Sequence, residues 1–186
     1  MEYDLLGWPS DGPKLRLDHE RFSYAGKFVM TNTGKAVART DDGELVAAVA
    51  FNEDRTDEST LWLRYVTVAR DRRGEGIGPE LLARVRDRAL ERGYERLRIA
   101  VNNPFAYEAL YRSGFAYTAE TTGIAELVLE HPSPVDDAAD PGGEPDARER
   151  YQAGLEEFRE RDLSDEEEEF LASREESEPP GLESRD

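Results

Sequence analysis

The run Arg72-Arg73-Gly74-Glu75-Gly76-Ile77-Gly78 constrains this chain more than any other stretch, because of what stands on either side of it. Before it lies the apolar, β-branched run Leu61 to Val68, and from Pro79 onward apolar residues recur at helical spacing. A strand that passes through three alternate glycines into a helix points to an α/β fold, with loop N–H groups converging at the helix start. The helix dipole adds positive potential there, so the loop is an anion cradle, and a diphosphate is the ligand it fits best. Taken alone, the glycines also read as a plain turn-forming connection.

The segments before the loop are β-rich. Lys35 to Thr40 and Glu44 to Phe51 flank Asp41-Asp42-Gly43, a strong hairpin signal, and Leu15 to Phe22 is a weaker first-strand reading. Residues 1–13 read as an N-terminal arm whose Leu5, Leu6 and Trp8 could dock on the domain. After the loop the period changes to 3.6: Leu81, Leu82, Val85, Ala89 and Leu90 share one face, with Pro79 in the first turn and Gly93 as the C-terminal stop. Arg96 to Val101 follows as a strand, expected parallel to Leu61–Val68. Asn103-Pro104 opens a short helix through Tyr111, Ser113-Gly114 ends it, and Phe115 to Thr118 with Ile124 to Glu130 close as a hairpin. The domain is therefore expected over residues 14–130.

Beyond residue 130 the composition shifts. The 186-residue chain has a net charge of −18. Residues 1–130 carry 22 acidic against 18 basic side chains, and residues 131–186 carry 20 against 6, so the acidity concentrates in a C-terminal tail. Asp146 with Glu149 and Ser164 with Glu167 have capping-box spacing, and Tyr151, Leu155 and Phe158 form a narrow apolar stripe. A mostly solvated tail, with two short helices at most, is the expectation; docking of the stripe on the domain or on a partner is the alternative. The tail leaves open a tail-mediated protein contact, and a homodimer is the other assembly considered.

Composition also excludes function classes. Without cysteine, and with only His19 and His131, the chain has neither a thiol nucleophile nor the residues of a typical metal site. No basic face offers itself to nucleic acid, and no apolar run reaches the length of a membrane span. The N-terminus lacks a signal-peptide pattern, so a cytoplasmic protein without membrane or nucleic-acid partners is expected. The acidic excess, with three lysines against 21 arginines, is of the kind seen in haloarchaeal proteins and suggests adaptation to high salt.

Val66-Thr67-Val68, then Arg73-x-x-Gly76-x-Gly78, then Asn103-x-x-Ala106 and Gly114-Phe115 together resemble the GNAT superfamily of acyl-CoA-dependent N-acyltransferases, over roughly residues 35–130. The resemblance implies a mixed central sheet of about six or seven strands, with flanking helices and a splay between Leu61–Val68 and Arg96–Val101. It implies that the backbone of Val66, Thr67 and Val68 meets the pantetheine arm of acetyl-CoA. Arg73, Gly74, Glu75, Gly76, Ile77 and Gly78 would wrap the diphosphate, and Asn103 would touch the coenzyme. Acetyl-CoA would be a co-substrate, no metal would be needed, and a primary amine of a small molecule or protein would be the acceptor.

Three departures stand out. Pro79 removes an N–H at the loop's exit. The family's general-acid tyrosine falls by counting on Leu110, one residue before Tyr111, which is the candidate here; one helical step turns a side chain by about 100°. Glu53, Asp54 and Glu126 are candidate bases without a favourite. The helical region that walls the acceptor pocket is reduced to Arg21–Gly34. An acidic surround favours a cationic amine. The displaced tyrosine, the reduced acceptor wall and the acidic tail motivate a second function, a non-catalytic acyl-CoA-binding sensor.

Overall fold

The computed structural model describes residues 1–133 and 146–182, which form an α/β chain of seven strands and four α-helices. The chain divides into two compact units, Met1–Arg98 and Ile99–Asp186, and the division falls inside the fifth strand, where the splay is expected.

In the first unit β1 (Glu2–Gly7), β2 (Gly34–Arg39), β3 (Leu45–Glu53) and β4 (Thr60–Val68) pair in succession, each antiparallel to the next. The Asp41-Asp42-Gly43 turn joins β2 to β3, with Gly43 at φ +84°, the left-handed conformation that glycine adopts without a Cβ clash. α1 (Ile77–Arg92) packs on these strands through Leu81, Leu82, Val85 and Ala89 and stops at Gly93. Across β4, Leu63 opposes Phe51 and Tyr65 opposes Ala50, so Arg64 is the extra residue of a β-bulge. On the sheet face away from α1, Phe28, Val37, Ala48 and Ala50 form a cluster against which Leu6, Leu15, Leu17 and Tyr65 pack.

The first strand is not Leu15–Phe22. Leu15 and Leu17 serve instead as cover for the cluster, and the Leu15 N–H bonds the Phe28 carbonyl oxygen at 2.9 Å. The strand lies in residues 2–7, which the sequence offered as an arm; as an edge strand it needs few apolar residues, and its pairing to β2 supplies the order. Trp8 does dock, its ring centroid 5.6 Å from that of Phe51 and 5.9 Å from that of Tyr94. The connection from β1 to β2 contains one short 3-10 turn, Ala25–Val29, and is closed by the buried Lys35, whose Nζ donates to the Met30 carbonyl and the Thr33 hydroxyl.

β5 (Arg96–Val101) leads into the second unit, which holds α2 (Pro104–Arg112), the antiparallel hairpin β6 (Ala116–Thr121) and β7 (Leu127–His131), α3 (Ala147–Arg159) and α4 (Asp165–Ala172). The predicted caps form. Asp146 accepts the Glu149 N–H at 2.8 Å, and Ser164 and Glu167 make a reciprocal capping box.

Residues 147–172 differ from the solvated tail that their charge suggests. Tyr151, Leu155 and Phe158 are all buried, because α3 lies against β6 and the aromatic side of α2. Gly154 permits that approach: a Cβ there would sit 2.1 Å from the Tyr107 hydroxyl. α4 joins α2 through Phe105 and Phe170, with ring centroids 4.8 Å apart. Just beyond α4, Arg174 forks onto Glu108 at 2.8 and 2.9 Å, and Arg112 reaches the same carboxylate at 2.7 Å.

Burial alone would raise the pKa of Glu108, but the Arg174 hydrogen bonds and charge, then Arg112, hold it below the ordinary carboxylate value. A depressed carboxylate stabilises the fold above its unfolded pKa, and the contribution disappears as pH falls through the folded pKa. Glu108→Gln is expected to lose about 2 kcal/mol in urea unfolding at pH 7. Relative to wild type, the loss should shrink as the pH is taken below the ordinary glutamate value of about 4.5.

Candidate active site

The glycine loop lies wholly within the first unit. After β4, the Ala69 N–H bonds the Val46 carbonyl oxygen at 2.8 Å, anchoring the chain before a single turn, Arg70–Arg72. Gly74 and Gly76 then adopt φ +82° and +76°, and α1 begins at Ile77 with no side chain capping its N-terminus. Side chains strongly resist two such conformations so close together, which explains those two glycines. Gly78 has a different reason. It is inside the helix, and a Cβ there would come 3.2 Å from Val68 Cγ2, so it sets how closely α1 approaches β4. Pro79, third in the helix, has no N–H to offer.

The two loop arginines are not equivalent. Arg72 forms a forked pair with Glu75, its Nε 2.8 and 2.9 Å from the carboxylate oxygens, which raises the Arg72 pKa and lowers that of Glu75. Arg73 bonds only a neutral group, donating from Nη2 to Ser23 Oγ at 3.0 Å, and among the described residues it has no carboxylate partner. The loop therefore combines an uncapped helix start with an uncompensated guanidinium, which suits an anion of high charge. Nothing lies within 4 Å of a Cβ built on Gly74, so that side of the loop is open.

Val66, Thr67 and Val68 are at the end of β4, next to the loop. Val68 points to α1, whereas Thr67, opposite Ala48, faces the other side of the sheet. Ser23, 50 residues from Arg73, escaped the sequence reading, as did Arg21, which bridges Glu44 at 2.9 Å and Asp71 at 3.7 Å. An isolated serine in a loop carries no signal of such a contact.

Asn103 and Tyr111 belong to the second unit. Asn103 caps α2, its Oδ1 accepting the Ala106 N–H at 2.8 Å. Tyr111 is buried in a cluster with Tyr107, Tyr151 and Phe158, and its hydroxyl accepts the Tyr117 N–H at 3.0 Å. The Tyr107 hydroxyl, 3.4 Å away, donates to the Tyr151 carbonyl oxygen at 3.0 Å. Burial pushes the pKa of both phenols upward. A proton-donating Tyr111 would need its hydroxyl turned out of this network. Leu110, the residue at the family's counted position, is buried.

The candidate bases separate by environment. Asp54 is held at a pKa of about 2 by the Thr56 N–H, the Trp62 indole N–H and the Thr56 hydroxyl, too low to take a proton from an ammonium near neutral pH. Glu53 accepts the Tyr94 hydroxyl at 2.7 Å, and Tyr94 is pushed to about 12 by burial and then by Glu53. Glu126 lies in the loop before β7 and is bonded by Thr122 Oγ1 at 3.3 Å. Among the described residues no cluster of histidine and acidic side chains is arranged to hold a metal ion.

The strand, loop and helix thus match the arrangement whose sequence pattern extends through residues 3–115, where the chain matches the acetyltransferase (GNAT) family. The chain belongs to that family. Solved structures of GNAT proteins resemble it in part. A nourseothricin acetyltransferase is 27% identical, over 53% of this chain and 64% of that protein, with a TM-score of 0.47. A ribosomal-protein-alanine N-acetyltransferase from Brucella melitensis is 27% identical, over 53% and 67% of the two chains, with a TM-score of 0.46. A PaiA N-acetyltransferase from Thermoplasma acidophilum, solved with coenzyme A, is 18% identical over 52% and 58%, with a TM-score of 0.44. The chain thus spans less than two thirds of the nourseothricin enzyme's length. No curated protein matches the sequence.

Within this GNAT chain the Tyr111 hydroxyl has a structural task that can be measured apart from any chemistry. Tyr111→Phe leaves the buried Tyr117 N–H without its acceptor and is expected to cost about 1–2 kcal/mol in chemical unfolding.

Proposed function

We propose that this protein transfers an acetyl group from acetyl-CoA to a primary amine by direct attack. The observation that carries the reading is the pairing of the uncapped α1 N-terminus with Arg73, whose charge has no carboxylate partner among the described residues. In this reading Arg73 grips the diphosphate. The backbone N–H groups of Gly74, Glu75, Gly76, Ile77 and Gly78 line the cradle, and the end of β4, Val66 to Val68, offers its backbone to the pantetheine amides. Arg72 is already neutralised by Glu75 and serves to hold the loop's shape. A side chain at Gly74 would project into the open side of the loop.

Acetyl-CoA supplies an acyl thioester that is itself reactive enough to need no covalent enzyme intermediate, which suits a chain without cysteine. The neutral amine nitrogen forms a bond to the carbonyl carbon, the carbon–sulfur bond breaks, and the thiolate leaves with the electron pair. One proton leaves the nitrogen and one reaches the sulfur, so an amide and a thiol result. The chain's part is to orient the two reactants, to exclude water, and to polarise the carbonyl with a β4 backbone N–H. With Asp54 held near pKa 2, an amine proton is better accepted by a less strongly hydrogen-bonded carboxylate, directly or relayed through water.

Calorimetry with coenzyme A, together with thiol release from acetyl-CoA in the presence of primary amines, tests the reading. Binding with thiol release supports it, and no binding in either low or high salt overturns it. Arg73→Ala is expected to weaken coenzyme A about 10- to 100-fold, because a charge-assisted contact is lost. Arg72→Ala should cost less, since Glu75 already occupies that guanidinium.

A further inference from the structure

The side of the sheet away from α1 carries an observation that the coenzyme site does not use. Thr67 is 3% exposed, and among the described residues its Oγ1 has no hydrogen-bond partner. Leaving a buried hydroxyl unpaired is unfavourable, so such groups are uncommon and mark a place where a polar partner fits. Strand geometry says what kind of partner. A ligand lying along the edge of β4 meets its backbone, but a side chain stands roughly perpendicular to the sheet. The Thr67 hydroxyl therefore reaches whatever lies over the sheet face, not the coenzyme arm running beside the strand.

That face is aromatic. Tyr65, two residues earlier on β4 and on the same side, packs against the Phe28 cluster. Tyr24 covers its edge, with ring centroids 6.0 Å apart, and is 56% exposed at a left-handed φ of +60°. A non-glycine residue in that conformation is held there by its surroundings, and here one neighbour is Ser23, bonded to Arg73. Lys27, exposed to solvent, has its Nζ 5.8 Å from the Tyr65 ring and, among the described residues, no acidic partner. A cation at this place disfavours a polycationic acceptor, which narrows the cationic amines that the chain's acidity suggested to those of single charge.

We propose that Thr67 Oγ1 receives an N–H of the acceptor amine, and that the acceptor is a primary amine with an aromatic body stacked on Tyr65 in place of Tyr24. The inference rests on the acyltransferase reading and adds to it the class of acceptor and the residue that orients the nitrogen. Thr67 is then a substrate-binding group whose polar partner is missing until the acceptor enters, and Tyr24, exposed and backbone-strained, is the side chain that gives way.

The test uses phenethylamine and spermidine as acceptors with the full chain. Wild type is compared with Thr67→Val, which keeps the shape and removes the hydroxyl, and with Thr67→Ser, which restores it. For phenethylamine, Thr67→Val should raise KM about tenfold, the size of one lost hydrogen bond of about 1.4 kcal/mol, while Thr67→Ser stays near wild type. The melting temperature of Thr67→Val without ligand should stay level or rise, since an unpaired polar atom has been removed. The loss should fall on phenethylamine KM and not on the coenzyme A Kd measured by calorimetry. Any one of three results overturns the proposal: an unchanged phenethylamine KM in Thr67→Val, a lowered melting temperature in that variant, or higher kcat/KM for spermidine than for phenethylamine in wild type. Wild type that binds coenzyme A but does not acetylate phenethylamine sinks this inference alone. Wild type that binds no coenzyme A sinks the acyltransferase reading as well.

Discussion

The first unit depends on the close contact between α1 and β4. A Cβ on Gly78 would come 3.2 Å from Val68 Cγ2, tighter than an ordinary contact, and that spacing sets how closely the helix approaches the strand's end. The form of the glycine loop follows from that junction. The chain must turn from the sheet into the helix within a few residues, so Gly74 and Gly76 take left-handed conformations that other residues strongly resist. The helix then starts without a side-chain cap, which leaves its first N–H groups for a ligand. Packing geometry and the proposed anion binding are thus one constraint seen from two sides.

Charge is distributed with similar economy. Of the two adjacent arginines, Arg72 is paired by Glu75, and Arg73 is parked on a neutral serine hydroxyl. A guanidinium bonded to a hydroxyl loses little when a dianionic group takes over, whereas a carboxylate partner would compete with the ligand. Ser23 also ties the loop to the β1–β2 connection, which supplies Tyr24 and Lys27 as well. The glycine loop and the aromatic face around Thr67 therefore share a mechanical neighbour.

The second unit shows why net charge is a poor guide to solvation. The acidic C-terminal region holds α3 and α4 because a minority of its residues carry the packing: Tyr151, Leu155 and Phe158 are buried, and Arg174 is drawn to the buried Glu108. The acids themselves occupy helix starts and outer faces, where the dipole and water favour them, as in the capping box of Ser164 and Glu167. In the same unit Tyr111 became an interior residue. Its hydroxyl answers a β6 amide, a need visible only once the hairpin had folded beside α2.

The sequence by itself determined the local elements that rest on backbone chemistry. The Asp41-Asp42-Gly43 hairpin, the glycine loop, the Gly93 stop, the Asn103-Pro104 start and the Asp146 and Ser164 caps all depend on residues adjacent in the chain. Their conformational preferences survive in any tertiary setting. Tertiary structure decided what depends on partners far along the chain. The edge strand in residues 2–7 exists because β2 offers it a ladder, and Leu15 and Leu17 became cover because Phe28 was there to meet them. The apolar stripe of α3 was buried because Gly154 lets it reach Tyr107. The hydroxyl of Thr67 belongs to the same class: a threonine in a strand looks ordinary in sequence, and only the packing around it shows that it is buried without a hydrogen-bond partner among the described residues.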